Sequence, residues 1–554
     1  MKHTEKYAPQ YHMPPEVIND WVEQDRLEKA PIWCSVDLRD GNQALIIPMT
    51  LDEKIRYFEF LLSLGFKEIE VGFPAASETE FAFLRHIIEN DMIPDGVAIQ
   101  VLTQSREHII DKTFEAVRGA KKVIVHLYNS TSTVQREQVF RKSEDQIVAI
   151  AETGAHIFND RAAAQPETEF TFEYSPESFT GTELEFAART CNAVIDIWEP
   201  QNGRGVIINL PATVEHSMPH VYAKQIAYMD KHLHHRENII ISLHPHNDRG
   251  TGVAAAEMGI LAGADRIEGT LFGNGERTGN VDLITLAGNL YTHGVDPEID
   301  LSDMPRIVAM FEEINKLPVP ARHPYAGSLA FAAFSGSHQD AIAKGMNFRE
   351  DNDNGMWTVP YLPIDPRDVN REYETDVIRI NSQSGKGGVA YIFAQNFGYK
   401  LPMAFREEMG YFMKDISDRD AKELSPEEMH EAFLGEYVNV NAPIQVVSAE
   451  WRHEGDDTLA EVTFKIDGEA RSIAARGNGS LDAVRAALKQ VKPDLNYHFN
   501  DYEQHALEDE SDARAASYVR ITGADDTPVW GVGIHNDIAM ASVFALISAV
   551  NRLQ

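Results

Sequence analysis

From residue 31 to about 295 the chain alternates short apolar, β-branched runs with longer amphipathic stretches. The apolar runs fall at 32–37, 67–72, 97–102, 122–127, 169–174, 205–210, 239–244 and 265–270. Runs apolar on both faces read as buried parallel strands. Between them the 3.6-residue spacing predicts helices over 51–64, 78–89, 105–118, 182–197, 219–231, 251–262 and 281–291. Eight strand-then-helix units in one contiguous segment predict an α/β fold, a TIM (β/α)8 barrel rather than an open doubly wound sheet. No Gly-x-Gly-x-x-Gly follows the first run, which weighs against a dinucleotide-binding sheet.

The rhythm differs outside 31–325. Residues 1–30 read as an extended arm punctuated by Pro9, Pro14 and Pro15. Residues 326–435 read as a helical and mixed connecting subdomain, with a helical pattern near 328–344 and a Pro- and Asp-rich stretch from Trp357 to Pro366; another helical pattern, near 304–316, precedes it. Ser425-Pro426-Glu427-Glu428 is a helix start signal that marks the next boundary. Residues 436–554 read as an α+β domain of two related ββ(β)α units. Strands are expected at 443–451, 458–466 and 469–475, and again at 494–500, 515–522 and 528–533. Each set ends in a Gly-containing turn that opens a helix, Gly477–Ala483 in the first unit and Gly533–Ala539 in the second. Repeated units without catalytic-looking clusters suggest a small-ligand, regulatory domain.

The barrel reading has a chemical consequence, because functional groups of that fold gather at the carboxyl ends of its strands. Those ends carry Arg39 and Asp40, Glu70, His126, Ser175 and Glu177, Asn209 and Thr213, His244 and His246, and the loop Gly273-Asn274-Gly275-Glu276-Arg277. Alternate residues of a strand share a face, so His244 and His246 point the same way. Two imidazoles and the Asp40 carboxylate, brought in from separate strands, would make a divalent-metal site with open positions. Asn280 would either cap the following helix or complete that shell, and Glu177 would either cap a helix or act in catalysis. The oxygen and imidazole mixture suits Mg²⁺, Mn²⁺ or Zn²⁺ without choosing among them. Arg39 adds a permanent positive charge, as suits a reaction that develops negative charge on oxygen.

Charge narrows the class of partner. Lys and Arg total 50 against 86 Asp and Glu, a formal net charge of −36. Such a surface repels phosphate backbones and anionic membranes, so neither nucleic acid nor a membrane is expected as a partner. Only Cys34 and Cys191 occur, and no apolar leader opens the chain, so a cytoplasmic protein is expected.

The segments Asp37–Gln43, Val125–Ser130, Ser175–Ser178, Leu210–Glu215, Leu243–Asp248, Gly273–Asn280, Gly336–Asp340 and Asn381–Gly388 together resemble the 2-isopropylmalate synthases of the long, leucine-regulated type. These belong to the metal-dependent TIM-barrel acyl-CoA condensing enzymes and lyases. The resemblance implies an acyltransferase of leucine biosynthesis that condenses acetyl-CoA with 3-methyl-2-oxobutanoate and water. By the same resemblance Asp40, His244 and His246 are metal ligands with Asn280 in or near the shell, and K⁺ is a candidate monovalent activator. It implies Arg39 at the keto oxygen and Thr213 at the carboxylate of the 2-oxoacid, with His126, Ser175 and Asn209 shaping that pocket. Gly273, Asn274, Gly275 and Arg277 would contact acetyl-CoA. The proton-abstracting base is left open between Glu177 and a Glu276–His338 pair. His338 and Tyr361 would reach the site of a partner in a homodimer. Leucine, as inhibitor, would bind near Asn478, Ala483, Gly533 and Asp537. Citramalate and homocitrate synthases, which run the same chemistry on other 2-oxoacids, are the nearest alternatives.

Overall fold

The computed structural model describes residues 3–333, 335–352, 354–373, 386–420, 424–508, 513–524 and 526–553. It falls into two compact units, one of residues 1–330 and 364–372, the other of 331–363 and 373–554.

The first unit is the expected barrel. Strands β1 (Ile32–Ser35), β2 (Glu68–Gly72), β3 (Ala98–Gln104), β4 (Lys122–Ser130), β5 (Glu169–Glu177), β6 (Gly205–Ala212), β7 (Ile240–Pro245) and β8 (Arg266–Gly269) pair in parallel and close in chain order. Seven of the outer helices lie where the spacing places them: α1 (Leu51–Ser63), α2 (Glu78–Glu89), α3 (Glu107–Ala116), α5 (Leu184–Trp198), α6 (Pro219–His232), α7 (Gly252–Leu261) and α8 (Leu283–Thr292). An eighth, α4 (Glu144–Ala163), is not among the sequence expectations. Its buried face leans on Ala151, Gly154, Ala155 and Ala162, so its apolar stripe is faint, although Ser143 and Gln146 form a capping box at its start. A ninth helix, α9 (Met304–Asn315), follows the barrel.

The barrel interior is polar through its middle. Arg266 is fully buried and meets Glu68 (Nε–Oε2 2.5 Å), Glu268 (Nη1–Oε1 2.8 Å) and the Gln100 amide oxygen (2.6 Å). A buried charge persists only when paired and hydrogen-bonded, as here. This layer lies inside strands that read from sequence as apolar.

The second unit contains α10 (Gly336–Asp351), α11 (Lys386–Phe397), α12 (Met403–Asp420) and α13 (Pro426–Tyr437). The helix expected over 328–344 begins only at Gly336, and α11 and α12 are not foreseen. The Asn381–Gly388 segment begins outside the described residues, up to position 385. Two repeats follow: β9 (Ile444–Glu454), β10 (Asp457–Ile466), β11 (Glu469–Gly477) and α14 (Ser480–Val491), then β12 (Tyr497–Ala506), β13 (Ala515–Gly523), β14 (Pro528–His535) and α15 (Ile538–Leu553). Each repeat is a three-stranded antiparallel sheet whose middle strand is the second in chain order, 11-10-9 and 12-13-14, and each ends in one helix. The two-unit α+β organisation expected from the sequence is present.

Strand alternation gives β13 two jobs. Ala516 and Tyr518 face a core shared with Phe393, Phe405, Met409, Phe433 and Tyr437 of α11–α13. Val519 and Ile521 join a different core, with Val462, Phe464, Ala487 and Leu488 of the first repeat and Leu546 and Val550 of α15. Successive strand residues point to opposite faces, so both cores depend on the same nine residues of chain.

Candidate active site

Beyond β1 the backbone winds into one wide helical turn over Asp37–Gly41, with the N–H groups of Asp40 and Gly41 both donating to the Val36 carbonyl (2.9 and 3.1 Å). Such turns recur at functional sites because they re-aim side chains. Asp37 braces the turn from below. It accepts from Ser35 Oγ (2.8 Å), the Tyr57 hydroxyl (3.3 Å) and the Leu271 N–H (3.2 Å), linking it to the end of β8. Burial pushes its carboxyl up to about 7 against the pull of those donors.

This turn delivers Asp40 to the imidazoles of β7. His244 Nε2 and His246 Nε2 lie 3.8 and 4.0 Å from the same oxygen, Asp40 Oδ2, and the two rings stack at 5.3 Å. Burial raises the Asp40 carboxyl, but Arg39, His244 and His246 outweigh it and hold the group well below the usual carboxylate range. Burial would lower His244, yet its contacts to Asp40 and Glu268 push it up to about 9. Burial and the neighbouring charge of His244 bring His246 down to about 4.

The cluster fits a divalent metal on its own chemistry. One carboxylate oxygen and two imidazole nitrogens lie within 4.8 Å of one another, all buried. Ligands about 2.1 Å from one ion are themselves about 3 to 4 Å apart. Glu268 Oε2 holds His244 Nδ1 at 2.7 Å, which leaves Nε2 turned to Asp40. Among the described residues the buried His246 Nδ1 has no hydrogen-bond partner. Asn280 does not cap α8, because Asp282 accepts from the Ile284 N–H there (3.0 Å). Instead its amide nitrogen donates to Asp40 Oδ2 (2.7 Å) and its oxygen sits 2.9 Å from His244 Nε2.

Around this cluster opens a cavity of about 300 Å³ at the carboxyl ends of the strands. Arg39 projects into it, held by Glu70 (Nε–Oε2 2.5 Å) and Asp40 (Nη1–Oδ1 2.7 Å). His126, Ser175, Asn209 and Thr213 line it too. Ser175 Oγ lies 2.7 Å from His126 Nε2 and accepts from the Asn209 amide (2.9 Å). Thr213 Oγ1 accepts from the Ser178 N–H (2.9 Å). Glu177 ends β5 rather than starting a helix, since α5 begins at Leu184, and its carboxylate accepts from Ser130 Oγ.

Glu276 and Arg277 also line the cavity. The Arg277 guanidinium is engaged by Asp248 (Nε–Oδ1 2.7 Å) and by the Thr213 carbonyl (2.6 Å). The loop that carries them is pinned by Asn274, whose amide donates to the Gly41 carbonyl (3.1 Å). Gly273 has φ +71°, and a Cβ on Gly275 would meet Asn280 Nδ2 at 2.3 Å, so close approach to the cluster explains both glycines. His338 and Tyr361 belong to the second unit, where their rings stack at 4.1 Å.

In the repeats, Asn478 and Asp537 stand before α14 and α15. Asp537 caps α15 by accepting from Ala539 and Met540 (2.8 and 3.1 Å). Gly533 answers to packing, because a Cβ there would lie 1.9 Å from the Ala541 carbonyl oxygen. Ala483 is fully buried, packed against Gly477, whose added Cβ would meet its backbone nitrogen at 2.4 Å.

Sequence reasoning overlooks Glu268 and Glu173, both fully buried in the barrel. Their signal is a charged residue inside an apolar strand, most visible in Arg266-Ile267-Glu268, where both charges fall on one face. Burial and the nearby Glu268 charge push the Glu173 carboxyl well above its ordinary range.

Compared with known proteins, residues 30–311 match the HMGL-like family, 328–394 the alpha-isopropylmalate synthase post-catalytic domain-like family, and 417–554 the LeuA allosteric (dimerisation) domain. The 2-isopropylmalate synthase of Desulfitobacterium hafniense is 56% identical over 553 residues, covering 100% of this chain and 99% of the relative. The chain belongs to the 2-isopropylmalate synthase family. The Helicobacter hepaticus 2-isopropylmalate synthase is likewise 56% identical, with 99% of each chain covered. Another 2-isopropylmalate synthase, from Mycobacterium ulcerans, is 52% identical over 552 residues, covering 97% of this chain and 96% of its own. In this member of the 2-isopropylmalate synthase family the HMGL-like match spans all eight barrel strands.

Proposed function

We propose that this chain condenses the acetyl group of acetyl-CoA with 3-methyl-2-oxobutanoate and water to give 2-isopropylmalate and CoA. The observation that carries the reading is the Asp40–His244–His246 cluster beside Arg39, in a cavity also lined by Glu177 and Glu276.

Asp40, His244 and His246, with Asn280 alongside, would hold a divalent cation, with Mg²⁺ first and Mn²⁺ or Zn²⁺ as the other candidates. Bound there, such a cation supplies Lewis-acid polarisation of a ketone and charge neutralisation at developing oxygen anions. Arg39, fixed by Glu70 and Asp40, presents its guanidinium where the keto oxygen becomes an alkoxide. Thr213 anchors the oxoacid carboxylate, while His126, Ser175 and Asn209 form the rigid hydrogen-bonded wall behind it. A carboxylate of the mouth, Glu177 or Glu276, takes a proton from the acetyl methyl group. The enolate carbon bonds to the keto carbon, the alkoxide takes up a proton, and water cleaves the thioester C–S bond to release CoA as its thiol.

Both arginines lining the mouth are already paired, Arg39 with Glu70 and Asp40 and Arg277 with Asp248. That favours a 2-oxoacid with an apolar side chain over one with a distal carboxylate. We further propose that the repeats after residue 440 bind leucine as a feedback inhibitor, with Asn478 and Asp537 at the helix-opening turns, and that two copies assemble as a homodimer. Among the described residues no helix is long and apolar enough to cross a membrane.

The test is release of CoA thiol from acetyl-CoA with divalent metal and each of 3-methyl-2-oxobutanoate, pyruvate and 2-oxoglutarate. Turnover highest with the first is expected. Turnover highest with either other acid overturns the substrate assignment, and no release with any acid overturns the reaction.

A further inference from the structure

We infer that Lys54 is a positioning residue, whose buried ammonium sets the turn that delivers Arg39 and Asp40; this rests on the reading of the metal cluster and reaction above. Lys54 lies on α1 and is fully buried. Its Nζ donates to the Leu38 carbonyl (2.9 Å), one residue before Arg39 and two before Asp40. The same ammonium pairs with Glu80 Oε1 of α2 (2.5 Å), and the Phe83 ring lies over it at 5.3 Å. Tyr57, three residues further along the same face of α1, reaches Asp37. One helix face thus offers two buried donors to adjacent residues of the turn. Glu80 in turn abuts the end of β2, where a Cβ on Gly72 would collide with its Oε2, two residues beyond the Glu70 that holds Arg39.

The turn needs such a fixing. The N–H groups of Arg39, Asp40 and Gly41 all converge on the Val36 carbonyl (3.2, 2.9 and 3.1 Å) in place of a regular helical ladder. Three donors on one acceptor leave the turn dependent on contacts from outside it. Stability gives no comparable reason for the pair, because replacing a buried ion pair by uncharged residues of similar volume is often neutral or stabilising. What an apolar side chain at position 54 lacks is an N–H for Leu38. A shift of that peptide would carry Asp40 Oδ2 away from the two imidazoles, and the Arg39 guanidinium away from its place in the mouth, and catalytic geometry tolerates little such displacement.

The double variant Lys54→Met, Glu80→Gln tests this in the full-length protein, since it removes both charges and keeps the bulk. Thermal unfolding at or above the wild-type temperature is expected, together with a Kd for Mg²⁺ or Mn²⁺ raised about tenfold in titration calorimetry. With metal saturating, kcat should fall about tenfold while the KM for acetyl-CoA stays unchanged. Glu80→Gln alone keeps the nitrogen that donates to Leu38, so its metal Kd should stay close to wild type. Wild-type metal affinity and kcat in the double variant overturn the positioning role. An equal loss of metal affinity in Glu80→Gln also overturns it, by moving the effect from the Leu38 contact to the charge pair. A double variant that unfolds well below wild type makes the pair a structural one and overturns it as well. Metal affinity is read without turnover, so a wild type that binds metal but releases no CoA overturns the reaction reading and leaves the role of Lys54 to be decided by calorimetry.

Discussion

Glu268 Oε2 and His244 Nδ1 stand 2.7 Å apart inside the barrel, and this contact decides which face of the imidazole looks at Asp40. The carboxylate is kept ionised, because Arg266 and His244 outweigh the burial that would raise it. It therefore fixes the ring and makes Nε2 a better donor.

Glu268→Gln should weaken divalent-metal binding about 10- to 100-fold, read by titration calorimetry on metal-free protein. The amide retains the shape but loses the charge. Affinity equal to wild type would remove Glu268 from the support of the metal cluster.

His246→Ala should lower metal affinity and turnover together, and chelation of the wild type should abolish CoA release until metal is restored. Metal-dependent turnover at wild-type rate in the variant would show that His246 is not a ligand.

Arg39→Lys should reduce kcat far more than it raises the KM for the oxoacid, by about 100-fold if the guanidinium meets developing charge. A lysine cannot span Glu70 and Asp40 as the planar fork does. Steady-state kinetics separates the two constants, and an effect confined to KM would assign Arg39 to ground-state binding.

Asp537→Asn keeps an oxygen to cap α15 while removing the charge. If this carboxylate meets the ammonium group of leucine, the concentration giving half-inhibition should rise about tenfold, with uninhibited activity unchanged. A superimposable inhibition curve would take Asp537 out of the leucine site.

The barrel was legible because parallel strands buried on both faces leave uninterrupted apolar runs, as at Ile239–Leu243. α4 escaped notice because Ala and Gly make up much of its inner face. Arg39, Asp40, His244 and His246 stood out because polar residues directly after an apolar run must lie at a strand end. Glu173 and Glu268 did not, because a lone carboxylate within such a run acquires meaning only when barrel closure brings β5, β7 and β8 around one axis. Asn280 and Glu177 could each have been a cap. Their roles became separable only when Asp282 and Glu183 were found at the helix starts instead.

The dual-facing strand β13 limits how this protein can be recombined with its relatives. A graft joined at residue 440 would set Ala516, Tyr518, Trp530 and Val532 from one parent against Phe405, Met409 and Phe433 from another, a jigsaw of two unmatched halves. Swapping leucine sensitivity between homologues therefore calls for a crossover ahead of α11, so that the sensor travels with the helices on which it rests.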